Sequence, residues 1–423
     1  MIEFAKKLFP INRSLTGLGV IKTLKLIKEK FPKLKIKSIK SGKKVFDWNI
    51  PLEWKIKDAF ILTPSGKKIC DFKKNNLHVV GYSVAINKYL NLNDLKKKIY
   101  TFPNNKNAIP YVTSYYKKNW GFCLSENEKK GLNEKGKYKV FIDSKHFKGK
   151  LNYGEIIING KSKKEIFFST YICHPLMANN EISGPVLLTY LAKWIGSKPR
   201  KFSYRFIFIP ETIGSIAYIR NNIKNLKKNL FAGYNVTCVG DNRTFSFLPS
   251  KYGNSLSDRA SLKVLKKYVK KFKVYNWSQR GSDERQYCSP GVDLPVSSIM
   301  RSKYGSYKEY HSSLDKIGSV VSNKGLNRSL FIYKKLINYF ESNIFPVSTK
   351  LCEPFLTKYN LRKTLSSGNN PHMVVTPTGN LLNVLTWCDG KNTIEDISKL
   401  NNISVMKTKK IVKILKKNNL IKF

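Results

Sequence analysis

The chain has 423 residues and carries 78 Lys and Arg against 27 Asp and Glu, a formal net charge of +51. Only 11 of the basic residues are Arg and 67 are Lys. The lysines run through every segment among abundant Asn, Ile and Tyr, which points to AT-rich codon bias and away from a dedicated nucleic-acid reader built on arginine forks. A polyanion partner is the second reading of that charge.

A chain this long exceeds what one hydrophobic core ordinarily serves, so two or three domains are expected. Seven cysteines without a CxxC pair exclude a disulfide scaffold and read as reduced thiols. The first residues lack a signal-peptide core, and no apolar run approaches the roughly 20 residues a membrane helix needs. A cytoplasmic protein without a membrane span is the expectation.

Residues 1–44 hold a short helix, a turn at Asn12–Gly17, an amphipathic helix near Val20–Phe31 and a strand at Leu34–Ile39. Between 45 and 130 the texture changes to short β-like pieces, such as Ala59–Thr63 and Tyr111–Tyr115, separated by Pro, Gly and Asn. That pattern predicts a small β-rich insert.

From about Tyr138 strands and helices alternate. Apolar strands are expected at Glu155–Asn159, Glu165–Ile172, Tyr204–Ile209, Ala232–Val239 and Pro295–Met300, with helices near Gly184–Ile195, Ser215–Asn222, Leu256–Lys271 and Gly325–Phe340. Continuous apolar strands between helices predict a doubly wound α/β domain, a mostly parallel sheet flanked by helices, made from residues 1–44 and 131–345. Sites in such sheets form beyond the carboxyl ends of strands, where His174, Glu211 and Asp241 fall.

Residues 350–423 read as helix, helix, helix and closing strand, the winged-helix layout. Thr393 and Ser404 are its expected N-caps, and Ile411, Ile414 and Leu415 the buried stripe of its third helix. The lysines of that helix (407, 409, 410, 413, 416, 417) read as a solvated face in preference to a DNA-reading one.

The chemistry concentrates in a few segments. There are five histidines (78, 146, 174, 311 and 372), and two of them, His174 and His311, stand beside acidic loops at strand ends. Neutral imidazole and carboxylate together hold zinc and leave a position open for water, although either histidine taken alone reads first as a hydrogen-bonded loop residue. The segments Cys173–Gly184, Ile209–Ser215, Val239–Asp241, Gly281–Glu284, Gly291–Pro295 and Tyr310–Asp315 follow one another in the order of the metal-site motifs of zinc aminopeptidases.

In that order the chain resembles the bacterial leucyl-aminopeptidase fold. Leu8–Gly17, Phe46–Pro51, Asn76–Ser83, Trp120–Leu124 and Gly281–Cys288 narrow the resemblance. They are similar to the bacterial aminopeptidase-like proteins that carry an inserted domain of unknown function and a C-terminal winged helix, a family linked to polysaccharide biosynthesis.

The resemblance implies that His174 and Asp241 ligate one metal, that His311 approaches from the other side, and that Glu211 is the general base. It places Asn180 where a bridging aspartate is usual and Thr212 where a second glutamate is usual. Loss of both anions implies one zinc ion per chain, or weak metal binding, unless Glu181 replaces Asn180.

Asp315 is expected to orient His311 and Asp283 to cap a helix or orient a histidine, with Tyr310 in the same supporting group. Arg285 and Tyr287 are candidates for a substrate carboxylate or sugar hydroxyl. Trp48, Trp54 and Trp120 stack on substrate or pack in the core, and Cys173 reads as a small buried residue. The resulting expectation is a zinc-dependent hydrolase of peptide or other amide bonds, monomeric or homo-oligomeric. The rivals are a non-catalytic scaffold of glycan biosynthesis and a DNA-binding regulator.

Overall fold

A computed structural model describes residues 1–103, 105–362 and 377–423; His372 falls outside them. Two compact units divide the chain, Met1–Ile337 and Asn338–Phe423.

An eight-stranded sheet organises the first unit. Its order is Lys35–Lys40, Lys150–Ile158, Phe202–Ile209, Ser162–Tyr171, Leu230–Asn235, Val296–Met300, Phe245–Leu248 and Phe272–Val274. The four strands from Phe202–Ile209 to Val296–Met300 run parallel to one another, and both neighbours that flank them are antiparallel. Every residue of Phe202–Ile209 is buried because helices cover both faces, and its one charged member, Arg205, is paired with Glu155 and Glu165.

Adjacent residues on Ser162–Tyr171 show the two faces. Phe167 meets Tyr218 of the helix Ile213–Asn229, while Phe168 meets Tyr333 of the helix Asn323–Ser342. With the central strands parallel, their carboxyl ends line one rim of the sheet.

A second sheet, in the order Lys68–Ile69, Glu53–Leu62, Tyr138–Phe147 and Ile86–Leu90, builds the insert. It corrects the boundary expected at residue 130, because Tyr138–Phe147 pairs along Glu53–Leu62 and not with the main sheet. Its half-buried alternation marks a sheet with one packed face, whereas Lys150–Ile158, two residues later, is nearly continuously buried.

Trp120 packs in the insert's core with Phe122 and Ile142. Trp54 is buried and stacks on Tyr82, so both read as core. The insert is stitched to the loop that carries His311: Tyr111 N donates to His311 O at 2.8 Å, and Ser313 N to Ile109 O at 2.8 Å.

In the second unit the helices are Pro377–Thr386, Ile394–Leu400 and Val405–Lys417, and Val347–Ser348 pairs antiparallel with Ile421–Lys422. Thr393 and Ser404 cap their helices through side-chain oxygens. Ile411, Val412 and Leu415 face the core; Ile414, expected inside, is 41% exposed because its position turns it onto the lysine side. All six lysines of that helix are exposed. No helix among the described residues is long and apolar enough to cross a membrane.

Candidate active site

Loops leaving the parallel strands bring His174, Glu211 and Thr237 to the rim. His174 follows Ser162–Tyr171, and its ring is held on one side. Glu181 Oε2 lies 2.8 Å from Nδ1. A carboxylate only accepts, so Nδ1 carries the hydrogen and Nε2 is left facing Glu211, whose Oε2 is 3.6 Å away. Burial opposes charge on this ring, but Glu181 and then Glu211 outweigh it and raise the pKa above the ordinary histidine value.

Glu181 reaches that position from a single wide π turn, Ala178–Ile182, at the head of the helix Ser183–Gly196. Such turns recur at functional sites. Behind it stands Arg13, also buried, with Nε 3.8 Å from Glu181 Oε1.

Glu211 is pushed above the usual carboxylate range by burial, with His174 and the Ser282 hydroxyl pulling the other way. Ser282 Oγ donates to its Oε1 at 2.9 Å. The next residue, Thr212, has φ of 62°, a left-handed conformation unfavourable to a β-branched side chain. Asp283 holds it there by accepting from Thr212 N at 2.8 Å and from Ser215 Oγ at 2.9 Å. Burial and then Glu211 push Asp283 up to about 8. Arg285 Nη2 donates to Thr212 Oγ1 at 2.6 Å.

His311 also has a left-handed backbone, with φ of 52°, and its ring stacks on Tyr310 at 3.9 Å between centroids. Burial, reinforced by His174, pushes it down to about 3, so the ring is neutral. Its Nε2 lies 3.2 Å from Asn180 Oδ1. Asn180 Nδ2 donates to Tyr171 OH at 2.7 Å, Tyr171 OH pairs with Thr237 Oγ1 at 2.5 Å, and Thr237 Oγ1 donates to Asn180 O at 2.7 Å. The carboxamide is thereby satisfied on both ends.

Three expected residues stand elsewhere. The Asp241 carboxylate does not join the cluster. It accepts from Asn179 Nδ2, from Ser302 N and Oγ and from Arg243 N, and it braces loops behind the site. The chain turns at Cys238, where φ is 52°, so Thr237 faces Asn180 in its stead. Asp315 holds the amides of Asn179 and Asn180 at 2.8 and 3.0 Å, and so positions the Asn180 loop instead of the His311 ring. Tyr287 is fully buried against Ser169 and Phe167, out of reach of a substrate.

Arg13, Thr237 and Tyr111 escaped sequence reasoning. Tyr111 packs against both His174 and His311, with centroids 4.9 and 5.3 Å away.

Cys173, His174 and Glu181 offer donor atoms all within 4.8 Å of one another. Burial and Glu181 push the Cys173 thiol well up, so it stays protonated, and Nδ1 is already committed to Glu181. That trio reads as hydrogen-bonded, not ligating. The open face of His174 looks into a cavity of about 360 Å³, lined by Glu211, His311 and Arg285 and walled by the insert's Trp48, Tyr111, Tyr115 and Tyr116.

A parallel sheet with an acid and two histidines at its carboxyl rim defines an aminopeptidase-like protein. The chain belongs to the family described as a domain of unknown function, DUF4910, which matches residues 2–343, and a winged helix-turn-helix family matches residues 344–423. It is 42% identical over 394 residues to a Clostridium acetobutylicum protein named for polysaccharide biosynthesis with an aminopeptidase-like domain, covering 93% of this chain and 89% of that one.

A crystal structure from Clostridium acetobutylicum, described as a peptidase, superposes with a TM-score of 0.81 at 40% identity, covering 100% of this chain and 95% of the other. A zinc aminopeptidase from Bacillus subtilis shares the fold at a TM-score of 0.57 and 12% identity, covering 80% of this chain and 95% of its own.

Proposed function

We propose that the chain is a hydrolase of amide bonds that works with one zinc ion. The observation that carries this reading is the line Glu181–His174–Glu211. A carboxylate fixes Nδ1–H, as the hydrogen-bond partners of zinc-bound histidines do, and turns the Nε2 lone pair toward a second carboxylate at a cavity. His174, the neutral His311 and the Asn180 carboxamide oxygen form a donor set that fits zinc. Asn180, Thr212 and Thr237 supply no anion, so the set fits one ion and not a bridged pair.

Zinc held there supplies Lewis acidity toward a carbonyl oxygen. The rest falls to the chain's own residues. Glu211, with its pKa raised by burial, takes a proton from the attacking water, whose oxygen bonds to the carbonyl carbon. As the C–N bond breaks, Glu211 passes that proton to the leaving nitrogen. Ser282 keeps the carboxylate in register, and the insert's tyrosines restrict water at the cavity wall.

The name of the Clostridium relative favours a substrate from surface polysaccharide biosynthesis. The lysine-bearing third helix of the winged unit is read as a solvated face, with nucleic acid a less favoured partner.

Elemental analysis of the purified protein together with turnover of amino-acid amides tests the reading. About one zinc per chain with hydrolysis supports it. One specific observation favours a rival, a non-catalytic scaffold: the Asn180–Tyr171–Thr237 ring is closed without any ion. Zinc-free protein with no turnover on any amide would establish that rival.

A further inference from the structure

A second cavity of about 410 Å³ lies on the other side of Trp48, which lines both it and the catalytic cavity. Its character is different. The lining includes Phe46, Ile216, Ile219, Ile223 and Val292, with Asp47, Gln286 and Ser289 as its polar members. The helix Ile213–Asn229 runs from one cavity into the other: Ile213 borders the first, and Ile216, Ile219 and Ile223 border the second at helical spacing. A polar lobe with His174, Glu211, His311 and Arg285 and an apolar lobe therefore share Trp48 as a common wall. Each lobe falls within the roughly 300–1,000 Å³ typical of ligand pockets.

The far wall is a hairpin tip. Lys44–Val45 pairs with Trp48–Asn49, which leaves Phe46 and Asp47 as the two turn residues. Such tips favour Gly, Asn or Asp where φ is positive. Here a phenylalanine sits at φ of 53° and is 48% exposed, with Arg220 stacked over its ring at 5.9 Å. A bulky apolar side chain held in a left-handed, water-exposed turn offers a contact to an apolar ligand.

In the polar lobe Arg285 donates to Thr212 Oγ1, and its charge acts on Glu211 and Asp283 without a direct ion pair to either. An anionic group of a ligand fits there.

We infer that the substrate is an amide bearing an extended apolar chain, an N-acyl amino acid or N-acylated acidic sugar, whose chain lies in the apolar lobe and whose carboxylate meets Arg285. This rests on the proposed hydrolase reading for the position of the amide. The apolar lobe, by contrast, is assigned from its own lining.

Binding tests the inference separately from catalysis. N-decanoyl-alanine and N-acetyl-alanine are titrated by calorimetry into the full-length Glu211→Gln chain, which leaves the cleft filled but unreacted. The decanoyl compound is expected to bind at least about tenfold more tightly, from burial of its methylenes. Ile223→Asn and Phe46→Gly, each placed in the Glu211→Gln background, are expected to abolish that preference. Glycine relieves the strained turn, so Phe46→Gly is expected to melt no lower than its parent, and a loss of preference there cannot be ascribed to misfolding. Equal binding of the two compounds, or a preference that survives both substitutions, overturns the inference. Chain-length preference without turnover in the wild type would leave it standing and remove the hydrolase reading. Turnover of short amides without any such preference would do the reverse.

Discussion

Arg13 Nε donates to the carbonyl of His174 at 3.0 Å across 161 residues of sequence. The same guanidinium donates to Leu8 O at 2.6 Å and neutralises the buried Glu181 beside it. The N-terminal turn is therefore part of the scaffold of the site, and Arg13 is the positive member of a buried pair.

Removing it takes from Glu181 its one cationic side-chain neighbour other than His174. Arg13→Met is expected to lower stability by about 3–5 kcal/mol, the usual cost of breaking a buried pair from one side. Urea unfolding measures it, and a loss below about 1 kcal/mol would contradict the buried pairing.

Glu211→Gln keeps the shape of the side chain and its bond from Ser282 but removes the base. Hydrolysis should fall by about 10²–10⁴-fold while zinc content stays unchanged. Paired assays of metal and turnover check this, and parallel loss of both would make Glu211 a ligand.

Asn180→Asp is expected to act with opposite signs on the two forms. Without metal, a buried carboxylate replaces the carboxamide that donates to Tyr171, so melting should come earlier by the equivalent of about 1–3 kcal/mol. With zinc, the added anion should tighten binding. Melting curves with a chelator and with zinc decide it; a change of the same sign in both would contradict this account of the site.

Asp241→Asn separates support from ligation. The substitution weakens acceptors for Ser302 and Arg243 and should cost about 1–3 kcal/mol. Zinc stoichiometry should not change. A fall in bound zinc at unaltered stability would restore Asp241 to the ligand set.

Asp283 makes stability depend on pH. Its pKa is about 8 in the folded chain against roughly 3.9 unfolded, so the folded state holds the extra proton between those limits. The contribution is fully present below about pH 4 and is lost as pH rises through about 8. Asp283→Asn should flatten the decline, by up to about 1.4 kcal/mol per pH unit. Denaturation midpoints collected from pH 5 to 8 measure the slope, and identical slopes would place the Asp283 pKa outside that window.

The parallel sheet was legible because its buried strands carry apolar runs such as Phe206–Ile209, and His174 and Glu211 because they follow such strands directly. Asp241 misled because proximity in sequence to a strand end says nothing of the turn between. The left-handed Cys238 exchanges the facing residue for Thr237, which no charge or rarity marks. Arg13 was hidden for a related reason, since a pairing across so many residues leaves no local pattern. The insert's last strand was missed because the half-buried Tyr138–Phe147 and the buried Lys150–Ile158 adjoin almost without a break.

The stitching of the insert to the His311 loop limits how the cleft can work. Tyr111 and Ile109 share backbone hydrogen bonds with His311 and Ser313, and Pro110 bridges to Ser312. Swinging the insert aside would carry His311 with it and dismantle the chemistry it shelters. The insert is therefore a fixed roof and not a door.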